Sequence, residues 1–591
     1  MSKYLNMKAA MIIGAATMIA VFSVWRDSPI VDEIPHIGAG YGYIFEQSYQ
    51  FNPEHPPLAK DLAGIGLKLA GLDQTAAHNA FVSRSAGVND QWNFGRQLLY
   101  GLGNDAVRLI RAAKLSVMFL FIISAALIFI WTRKLYGGKA ALISVYLFSF
   151  SPTVIAHTRF VTTDIAALFG VLLASYFFLK YLNQPSRKYF WFSVIALGIA
   201  FLCKFSTFLL VPFFLLLAML WPFARRRPIW PYLGRTVLII ALAFIVVVGP
   251  YYQLHLINYP AAKQKTDTAF LLASYGNKDL SGPVIAAAGV PVLRPFAEYA
   301  LGLLMVNQRI EGGNRIYFLG KVVNKGGPWY FPIVYTLKEP IPFFILLLMA
   351  IMSGLALLIR GRLGSFRHAI ATHFPQTAMF LWLLIYWMLS ISSTVNIGIR
   401  HMIPVYGFTA ILVAGQIIGL IERSKLKNQN DNSKFKMFGI QKFYILIFAL
   451  LTWYAVEFAS IYPYYLTYFN QFAGGVSGGR EYVTDSNLDW GQDLWRLADW
   501  VKENNIKKIS LDYFGWADQR YYIGPAFNWM VGGQYTSKGS FLRDNPQGGY
   551  IAVSETFYQQ SIHSDGSYLW LKDIPPLTVI GHSILVWYIS P

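Results

Sequence analysis

The chain has 591 residues, of which 55% are hydrophobic and only 14% are charged. Because a soluble domain carries about a quarter charged residues, this composition excludes a wholly soluble enzyme, and its apolar content excludes a disordered chain. The net charge of +20 is typical of basic cytoplasmic loops in a membrane protein, so we expect membrane lipids and no nucleic acid as partners. The single cysteine, Cys203, excludes a disulfide framework and a thiolate metal cluster.

Apolar runs predict a polytopic α-helical membrane protein with about eleven transmembrane helices, since each bilayer crossing needs roughly 20 apolar residues. The runs lie near 9–25, 112–132, 141–157, 164–182, 189–204, 205–223, 236–257, 340–359, 376–393, 404–421 and 443–461. Lys3 and Lys8 precede the first run, as in a signal peptide, but no clear small-residue cleavage site follows it. We therefore interpret this run as an uncleaved anchor.

The distribution of lysine and arginine predicts the orientation of these helices. With the N-terminus in the cytoplasm, the two short outer loops carry one arginine each, Arg159 and Arg400. The cytoplasmic loops carry basic clusters: Arg133, Lys134 and Lys139; Arg187 and Lys188; Arg225, Arg226 and Arg227; Arg360, Arg362 and Arg367; and the run 423–442. We expect an integral protein of the cytoplasmic (inner) membrane whose outer face is extracytoplasmic.

This orientation places three long segments on the outer side: a first external loop at 26–111, a second at 258–339, and the C-terminal 462–591. The first contains an apolar stretch at 62–72 that is too short to span and suits an interfacial helix. The apolar stretch 284–306 is interrupted by prolines and charges, and a span there would turn every later basic loop outward. We therefore predict that it is an amphipathic or re-entrant part of the second loop.

The C-terminal segment is more polar than the rest and predicts a small extracytoplasmic α/β domain following a transmembrane domain at 1–461. Helical spacing covers 490–503, and strand patterns cover 508–514, 549–553 and 577–589.

Polar residues at membrane level are costly and are functional candidates by default. Here they gather at the outer end of the predicted bundle. They are Asp32, Glu33, His36, Glu54, His55, Lys60, His157, Arg159, Asp164, Lys204, Asn396, Arg400 and His401. Almost no loop separates the apolar runs that flank Lys204, so its ammonium should be partly desolvated. A single cation at a helix end is usually an interface anchor, but five separated segments meeting at one face favour a shared site.

Carboxylates and cations together at a lipid interface suit a polyprenyl-phosphate-linked substrate. Arginine and lysine bind phosphate oxygens and stabilise the charge that develops as phosphate leaves. A carboxylate takes the proton of the attacking hydroxyl or amine. This chemistry predicts a glycosyltransferase that takes its sugar from such a lipid donor.

The segment Asp32-Glu33 with His36 and Gly38, and the segment His55-Pro56-Pro57-Leu58 with Lys60, resemble two segments of the dolichyl-phosphate-mannose protein mannosyltransferases. Those enzymes carry Asp-Glu-x-His-x-Gly and His-Pro-Pro-Leu-Gly-Lys in their first external loop. Arg159 with Asp164 resembles their Arg-x-x-x-Leu-Asp turn, and Lys204 resembles their lysine between the fifth and sixth spans. The aminoarabinose transferases of bacterial lipid A are similar.

The resemblance implies a GT-C fold with the active site outside and an inverting single displacement. It implies Asp32 as the catalytic base with Glu33 as its neighbour. The residues expected to bind the carrier phosphate or the sugar are His36, Glu54, His55, Lys60, Arg159, Asp164, Lys204, Arg400 and His401. The sugar and the acceptor, whether protein, lipid or glycan, stay open. His36 lies one residue further from the acidic pair than in the mannosyltransferases, and the second loop is too short for their carbohydrate-binding β-trefoil.

Asp485, Asp489 and Asp493 recur every fourth residue, which suggests either a cation site or an acidic helix start. We interpret them as a helix N-terminus, because carboxylates are favourable there, and we expect no metal and no cofactor. A ligase or phosphotransferase for polyprenyl-linked glycans is the alternative enzyme. A lipid-linked sugar transporter is less favoured, because transporters place ionisable groups near the bilayer midplane in symmetric halves.

Overall fold

The structure is a computed structural model that describes residues 2–359, 366–429 and 434–591. Two of the residues predicted to form a cytoplasmic basic loop, Arg360 and Arg362, lie outside the described residues, as do residues 430–433 of the basic run at 423–442.

The first half of the chain is entirely helical. It begins with α1 (Ser2–Ser23), and the first outer loop contains α2 (Glu33–Ile44), α3 (Leu58–Leu69), α4 (Gln74–Arg84) and α5 (Gln91–Arg96). The bundle continues with α6 (Ala106–Ser149), α7 (Pro152–Thr158), α8 (Asp164–Asn183), α9 (Arg187–Cys203), α10 (Leu210–Ala224), α11 (Trp230–Leu242) and α12 (Gly249–His255). The predicted interfacial stretch at 62–72 thus lies largely in α3.

The predicted second outer loop, 258–339, contains three helices and a β-hairpin before α16 (Tyr330–Lys338) begins. It contains α13 (Ala261–Leu271), α14 (Lys278–Ala288), α15 (Arg294–Gly312), β1 (Ile316–Phe318) and β2 (Lys321–Val323). The bundle is completed by α16, α17 (Ile341–Ile359), α18 (Phe366–Thr372), α19 (Phe374–Ser392), α20 (Ile403–Gln429) and α21 (Lys434–Ser460). The stretch 284–306 is divided between α14 and α15, and neither is among the candidate membrane spans.

Within the described ranges, eight helices are long and apolar enough to cross a membrane, or nine if α16 and α17, bent by 115°, form one span. This count is lower than the predicted eleven for local reasons. The predicted spans at 112–132 and 141–157 share α6, which breaks at Gly137 with φ 82°. The predicted span at 189–204 is α9, whose 17 residues fall short of the length needed. The protein is an integral membrane protein, as its composition predicts.

The C-terminal region is a small α/β domain, which confirms the predicted fold class of a helical membrane bundle with such a domain attached. Its elements are α22 (Gly475–Gly479), α23 (Leu494–Glu503), β3 (Ile509–Asp512), α24 (Gln519–Ile523), β4 (Phe527–Trp529), α25 (Lys538–Asp544), β5 (Gly549–Ser554), α26 (Glu555–Ile562), β6 (Thr578–Ile580) and β7 (Ile584–Ile589). The strand order is β4-β3-β5-β7-β6, parallel across β4-β3-β5 and antiparallel across β5-β7-β6. The pattern at 577–589 is therefore a hairpin of two strands.

The boundary between the hydrophobic core of the bundle and the cores of the α/β domain lies further along the chain than residue 461, where the sequence places it. Tyr465, Leu466, Phe469 and Trp490 belong to the core of the helical bundle. The separate cores of the α/β domain begin at Leu494. Aromatic side chains that follow α21 are buried against the bundle, so the connecting segment belongs structurally to it.

Candidate active site

Four separate segments bring an ionic side chain to one place at the predicted outer end of the bundle. Asp32 directly precedes α2, and its carboxylate makes no cap hydrogen bond to that helix. Asp164 opens α8. Lys204 ends α9 with extended backbone (φ −163°, ψ 144°), and Arg400 lies in a single 3-10 turn before α20.

These four side chains form a continuous chain of contacts, which we call the transfer cluster. Arg400 Nη1 donates to Asp32 Oδ2 at 2.7 Å and lies 3.9 Å from Asp164 Oδ2. Lys204 Nζ donates to Asp164 Oδ1 at 2.5 Å. The exposed fraction of the Asp32 side chain is 21%, against 11% for Arg400 and for Lys204. The cluster is therefore mostly buried, with its most accessible carboxylate at one end.

Several polar atoms in this cluster and in the neighbouring His401 have unused hydrogen-bonding capacity. Among the described residues, Arg400 Nε, Asp164 Oδ2 and His401 Nε2 are buried without a hydrogen-bond partner. The guanidinium carbon of Arg400 also lies 4.3 Å from the centre of the Trp490 ring, which restricts its orientation. Unpaired buried polar atoms are costly and rare, so this cluster has the character of a ligand site.

Glu33 lies next to Asp32 in sequence, but both of its oxygens bind within the protein. Its side chain is fully buried, accepts from the backbone N–H groups of Ile30 and Val161 at 2.9 and 2.8 Å, and pairs with Lys114 Nζ at 3.0 Å. Burial raises the pKa of Glu33, and the Lys114 ammonium acts against that rise. Glu33 thus joins the start of α2 to the turn that precedes Asp164.

The two predicted histidines of the first loop contact each other. The rings of His36 and His55 are 5.2 Å apart in an edge-to-face arrangement, and His36 Nδ1–H donates to Val161 O at 2.7 Å. Burial lowers the pKa of His36 to about 4 despite the nearby Asp32 carboxylate, and burial lowers the pKa of His55 well below its usual value. Both rings are therefore neutral at physiological pH.

Lys60 is the sequence candidate whose setting differs most from the expectation. Its residue is 0% exposed, and Nζ donates to Asn52 O at 2.8 Å, His55 O at 2.6 Å and the Tyr43 hydroxyl at 2.9 Å. An ammonium has three protons, so these bonds leave none for a phosphate. Burial lowers the pKa of Lys60 well below its usual value. Lys60 shapes the loop that carries Glu54 and His55.

Glu54 faces a cation that sequence reasoning did not single out. Arg309, near the end of α15, lies 3.9 Å from the Glu54 carboxylate, with 44% of the arginine side chain exposed. Burial raises the pKa of Glu54, Arg309 lowers it, and the Asp32 carboxylate raises it. The second outer loop therefore supplies an accessible guanidinium beside the transfer cluster.

Arg159 lies in a different ion cluster from the other predicted cations. Its side chain is 1% exposed, pairs with Asp27 Oδ2 at 3.0 Å, and donates to the carbonyls of Ser23 and Pro463 at 3.1 Å. Asp27 also binds Arg496 of α23 at 2.6 Å. The sequence placed Arg159 with Asp164, but Asp27 and two carbonyls turn its guanidinium towards α1. A cavity of about 480 Å³ lies beside this second cluster, lined in part by Phe22, Arg26, Tyr464, Arg496 and Asp499.

Only the last residue of the acidic repeat at 485–493 lies at the predicted helix start: Asp493 is the N-cap residue of α23, which begins at Leu494. Asp485 has a positive φ of 56° in a tight 3-10 turn that packs against the turn of Arg400. Burial raises the pKa of Asp485 to about 6, with Arg400 lowering it and Asp32 raising it. Positive φ in a non-glycine residue is a signal that only coordinates reveal. Within the described residues, no three Asp, Glu, His or Cys side chains are grouped so as to hold a metal ion.

Residues 102–250 match the family model described as dolichyl-phosphate-mannose-protein mannosyltransferase. The predicted resemblance is confirmed. This segment contains Arg159, Asp164 and Lys204, so part of the transfer cluster lies within the matched region. A comparison with curated protein sequences finds no match.

The solved structures that align with this chain include two enzymes whose alignment covers most of its length. ArnT from Cupriavidus metallidurans bound to undecaprenyl phosphate has a TM-score of 0.45 and 12% identity, covering 98% of this chain and 98% of that chain. The archaeal oligosaccharyltransferase AglB from Archaeoglobus fulgidus, in complex with an inhibitory peptide and a dolichol-phosphate, has a TM-score of 0.44 and 13% identity, covering 94% of this chain and 71% of that chain.

Proposed function

We propose that this protein is a glycosyltransferase that moves a sugar from a polyprenyl-phosphate donor to an acceptor on the extracytoplasmic face of the membrane. The observation that carries the proposal is the unbroken chain of contacts from Asp32 through Arg400 and Asp164 to Lys204. It combines a partly accessible carboxylate with two cations at the predicted membrane level. The family match over residues 102–250 supports the same chemistry.

Asp32 is the proposed base. Its carboxylate is the most accessible one of the transfer cluster, with 21% of the side chain exposed, and a carboxylate can accept a proton. The acceptor hydroxyl or amine transfers its proton to Asp32 while its oxygen or nitrogen forms a bond to the anomeric carbon. The bond from that carbon to the phosphate oxygen breaks, and the electron pair leaves with the phosphate. Attack opposite the leaving group inverts the anomeric configuration.

Lys204 and Arg400 are the proposed partners of the phosphate. Their charges are held in place before the substrate arrives, which is the arrangement that stabilises developing negative charge. Asp164 lies between them and acts as a positioning residue, holding Lys204 Nζ at 2.5 Å. His401 Nε2 and Arg309 add a polar atom and a cation at the same place. Because Lys204 lies between the apolar helices α9 and α10, the lipid tail would extend along these helices into the bilayer.

The proposal is tested by transfer from labelled polyprenyl-phosphate mannose and polyprenyl-phosphate aminoarabinose into envelope extract, with purified protein in detergent. We expect the wild type to move label from at least one donor and Asp32→Asn to slow this transfer by about 10³-fold, as for loss of a general base. The control is Asp279→Asn, on an exposed position of α14, which should match the wild type. Near-normal transfer by Asp32→Asn, or no transfer from either donor by the wild type, would contradict the proposal.

A further inference from the structure

The segment 484–493, which connects the bundle to the α/β domain, is held by that domain at the carboxyl ends of its parallel strands. Asp489 Oδ2 accepts from the Thr556 backbone N–H at 3.0 Å, at the start of α26 directly after β5. The backbone N–H of Asp485 donates to Thr556 Oγ1 at 3.0 Å, and the Tyr513 hydroxyl, just after β3, donates to Gly491 O. In open α/β sheets this crevice ordinarily receives ligands. In this protein, the segment 484–493 of the chain itself occupies that crevice.

The other side of the same segment holds both ends of the Asp32–Arg400 ion pair. The backbone N–H of Val31 donates to Trp490 O at 2.9 Å, one residue before Asp32. The N–H of Ile399, one residue before Arg400, donates to Asn487 Oδ1 at 2.9 Å. A side chain at Gly398 would overlap Ser486 Oγ, so the two turns approach each other closely. The α/β domain thus sets the backbone positions from which the transfer cluster is built.

The carboxylate of Asp485 faces the same charges as the transfer cluster. The groups acting on it are Arg400 from the 3-10 turn, Asp32 from the start of α2 and Arg309 from α15. The residue is partly exposed, and its left-handed backbone is stabilised by the hydrogen bonds from the segment to Thr556. Such strain is retained at functional sites when the surroundings enforce it.

The charges divide this site into two ends. Lys204, between α9 and α10 and paired with Asp164, lies at the end assigned to the donor phosphate. At the other end, the two carboxylates Asp32 and Asp485 lie around Arg400. A hydroxyl or amine donates hydrogen bonds and is attracted to carboxylates. The Asp485 end, next to the α/β domain and opposite the lipid end, therefore suits the acceptor.

We infer that Asp485 binds the acceptor's hydroxyl or amine group beside Asp32, and that the α/β domain acts as the support that positions this acceptor subsite. The inference rests on the proposed function, because it names the acceptor side of the same site. Asp485 touches the substrate in this account, while Asp489 and Thr556 are positioning residues that act through the segment.

The experiment measures transfer by the full-length protein with increasing amounts of envelope extract as the acceptor source. We expect Asp485→Asn to raise the half-saturating amount of extract about tenfold or more and to change polyprenyl-phosphate binding less than about twofold, as for loss of one hydrogen bond to a charged group. Wild-type transfer should rise with pH around 6, where Asp485 ionises, and Asp485→Asn should lack this rise. Asp512→Asn is the matched control, since Asp512 binds Tyr568 elsewhere in the domain.

If the half-saturating amount of extract is unchanged in Asp485→Asn, the inference is overturned. It is also overturned if polyprenyl-phosphate binding weakens by the same factor as acceptor use, because that result indicates a structural role. Should that variant fail to fold, Thr556→Val decides, because it removes the hydroxyl that holds Asp485 while keeping the carboxylate. A severalfold rise in half-saturation supports the inference, and no rise overturns it. If Asp32→Asn is inactive while Asp485→Asn is normal, only this inference fails. If Asp32→Asn is normal, the proposed function fails.

Discussion

The predicted outer end of the bundle contains two ion clusters of the same composition, each with two carboxylates and two cations. The transfer cluster consists of Asp32, Asp164, Lys204 and Arg400. The second, which we call the closed cluster, consists of Asp27, Arg159, Arg496 and Asp493. Their comparison shows that charge composition does not identify a site. Both clusters contain buried polar atoms without a hydrogen-bond partner. What distinguishes them is that the transfer cluster has a partly exposed carboxylate, Asp32 at 21%, whereas the carboxylates of the closed cluster are at most 1% exposed.

The closed cluster is buried, and neighbouring groups supply most of its hydrogen bonds, although Asp27 Oδ2 and Arg159 Nε have no hydrogen-bond partner among the described residues. The side chains of Asp27 and Arg159 are 0% and 1% exposed, and backbone carbonyls accept from Arg159. Ser583 donates to Asp493 at 2.6 Å, and Arg496 binds both carboxylates. These contacts join α1 to α23. In the transfer cluster the Asp32 side chain is 21% exposed, and Arg400 Nε and Asp164 Oδ2 likewise have no hydrogen-bond partner among the described residues.

The largest expected effect is on stability, in the closed cluster. Arg159→Met leaves Asp27 short of a buried partner, and removing one member of a buried ion pair costs about 3–5 kcal/mol. We expect a severe loss of folded protein and a large decrease in thermal midpoint, measured by fluorescence-detected size exclusion and thermal unfolding. If the variant instead folds normally but no longer binds polyprenyl phosphate, Arg159 belongs to the transfer site, as the sequence predicted.

The next largest effect is on the pH dependence of stability, and it is expected at His36, which lies beside the transfer cluster. Burial lowers the pKa of His36 from 6.5 to about 4, so its contribution to stability is complete above pH 6.5 and decreases as the pH falls to 4. The difference corresponds to about 3 kcal/mol. His36→Gln keeps a donor for Val161 O and should lose less stability over that pH range than the wild type. His78→Gln, on a ring that is 57% exposed, is the control. Identical pH profiles for wild type and His36→Gln would contradict the account.

A smaller effect, on binding, is expected at Lys204. Lys204→Met removes a charged donor to the phosphate, which should weaken polyprenyl-phosphate binding by about 10- to 100-fold. Its folded yield should also fall, because Lys204 pairs with the buried Asp164 carboxylate at 2.5 Å, so binding is measured per folded protein. Lys263→Met is the matched control, since Lys263 pairs with Asp267 in the second outer loop. If Lys204→Met binds polyprenyl phosphate as the wild type does, this lysine is a helix anchor, and the transfer cluster does not differ from the closed cluster in ligand binding.

The smallest effect is expected at the rim of the site. Arg309 is 44% exposed and lies 3.9 Å from Glu54, so the pair should contribute less than about 1 kcal/mol to stability. Arg309→Gln should weaken polyprenyl-phosphate binding only a fewfold, and the difference should shrink at high salt because exposed charges are screened. A salt-independent loss would place Arg309 inside the site.

The helical membrane bundle could be predicted from local sequence, and so could the four residues that the structure brings together in the candidate site, Asp32, Asp164, Lys204 and Arg400. Apolar runs identify the helices, and the missing loop at Lys204 identifies a buried cation. The limits arise where a partner is distant or is a backbone group. Arg159 has the same local setting as a site residue, but its cluster includes Arg496, which is 337 positions further on. Lys60 is bound by carbonyls that leave no sequence pattern. Asp485 was assigned to a helix start because spacing alone does not show where α23 begins.

The measurement that tests the central claim most directly is an experimental map of the protein with polyprenyl phosphate added. The account predicts density for the phosphate within hydrogen-bonding distance, about 3 Å, of Lys204 Nζ and the Arg400 guanidinium. Phosphate density in the cavity beside the closed cluster, near Arg26 and Arg496, with none at Lys204, would contradict it.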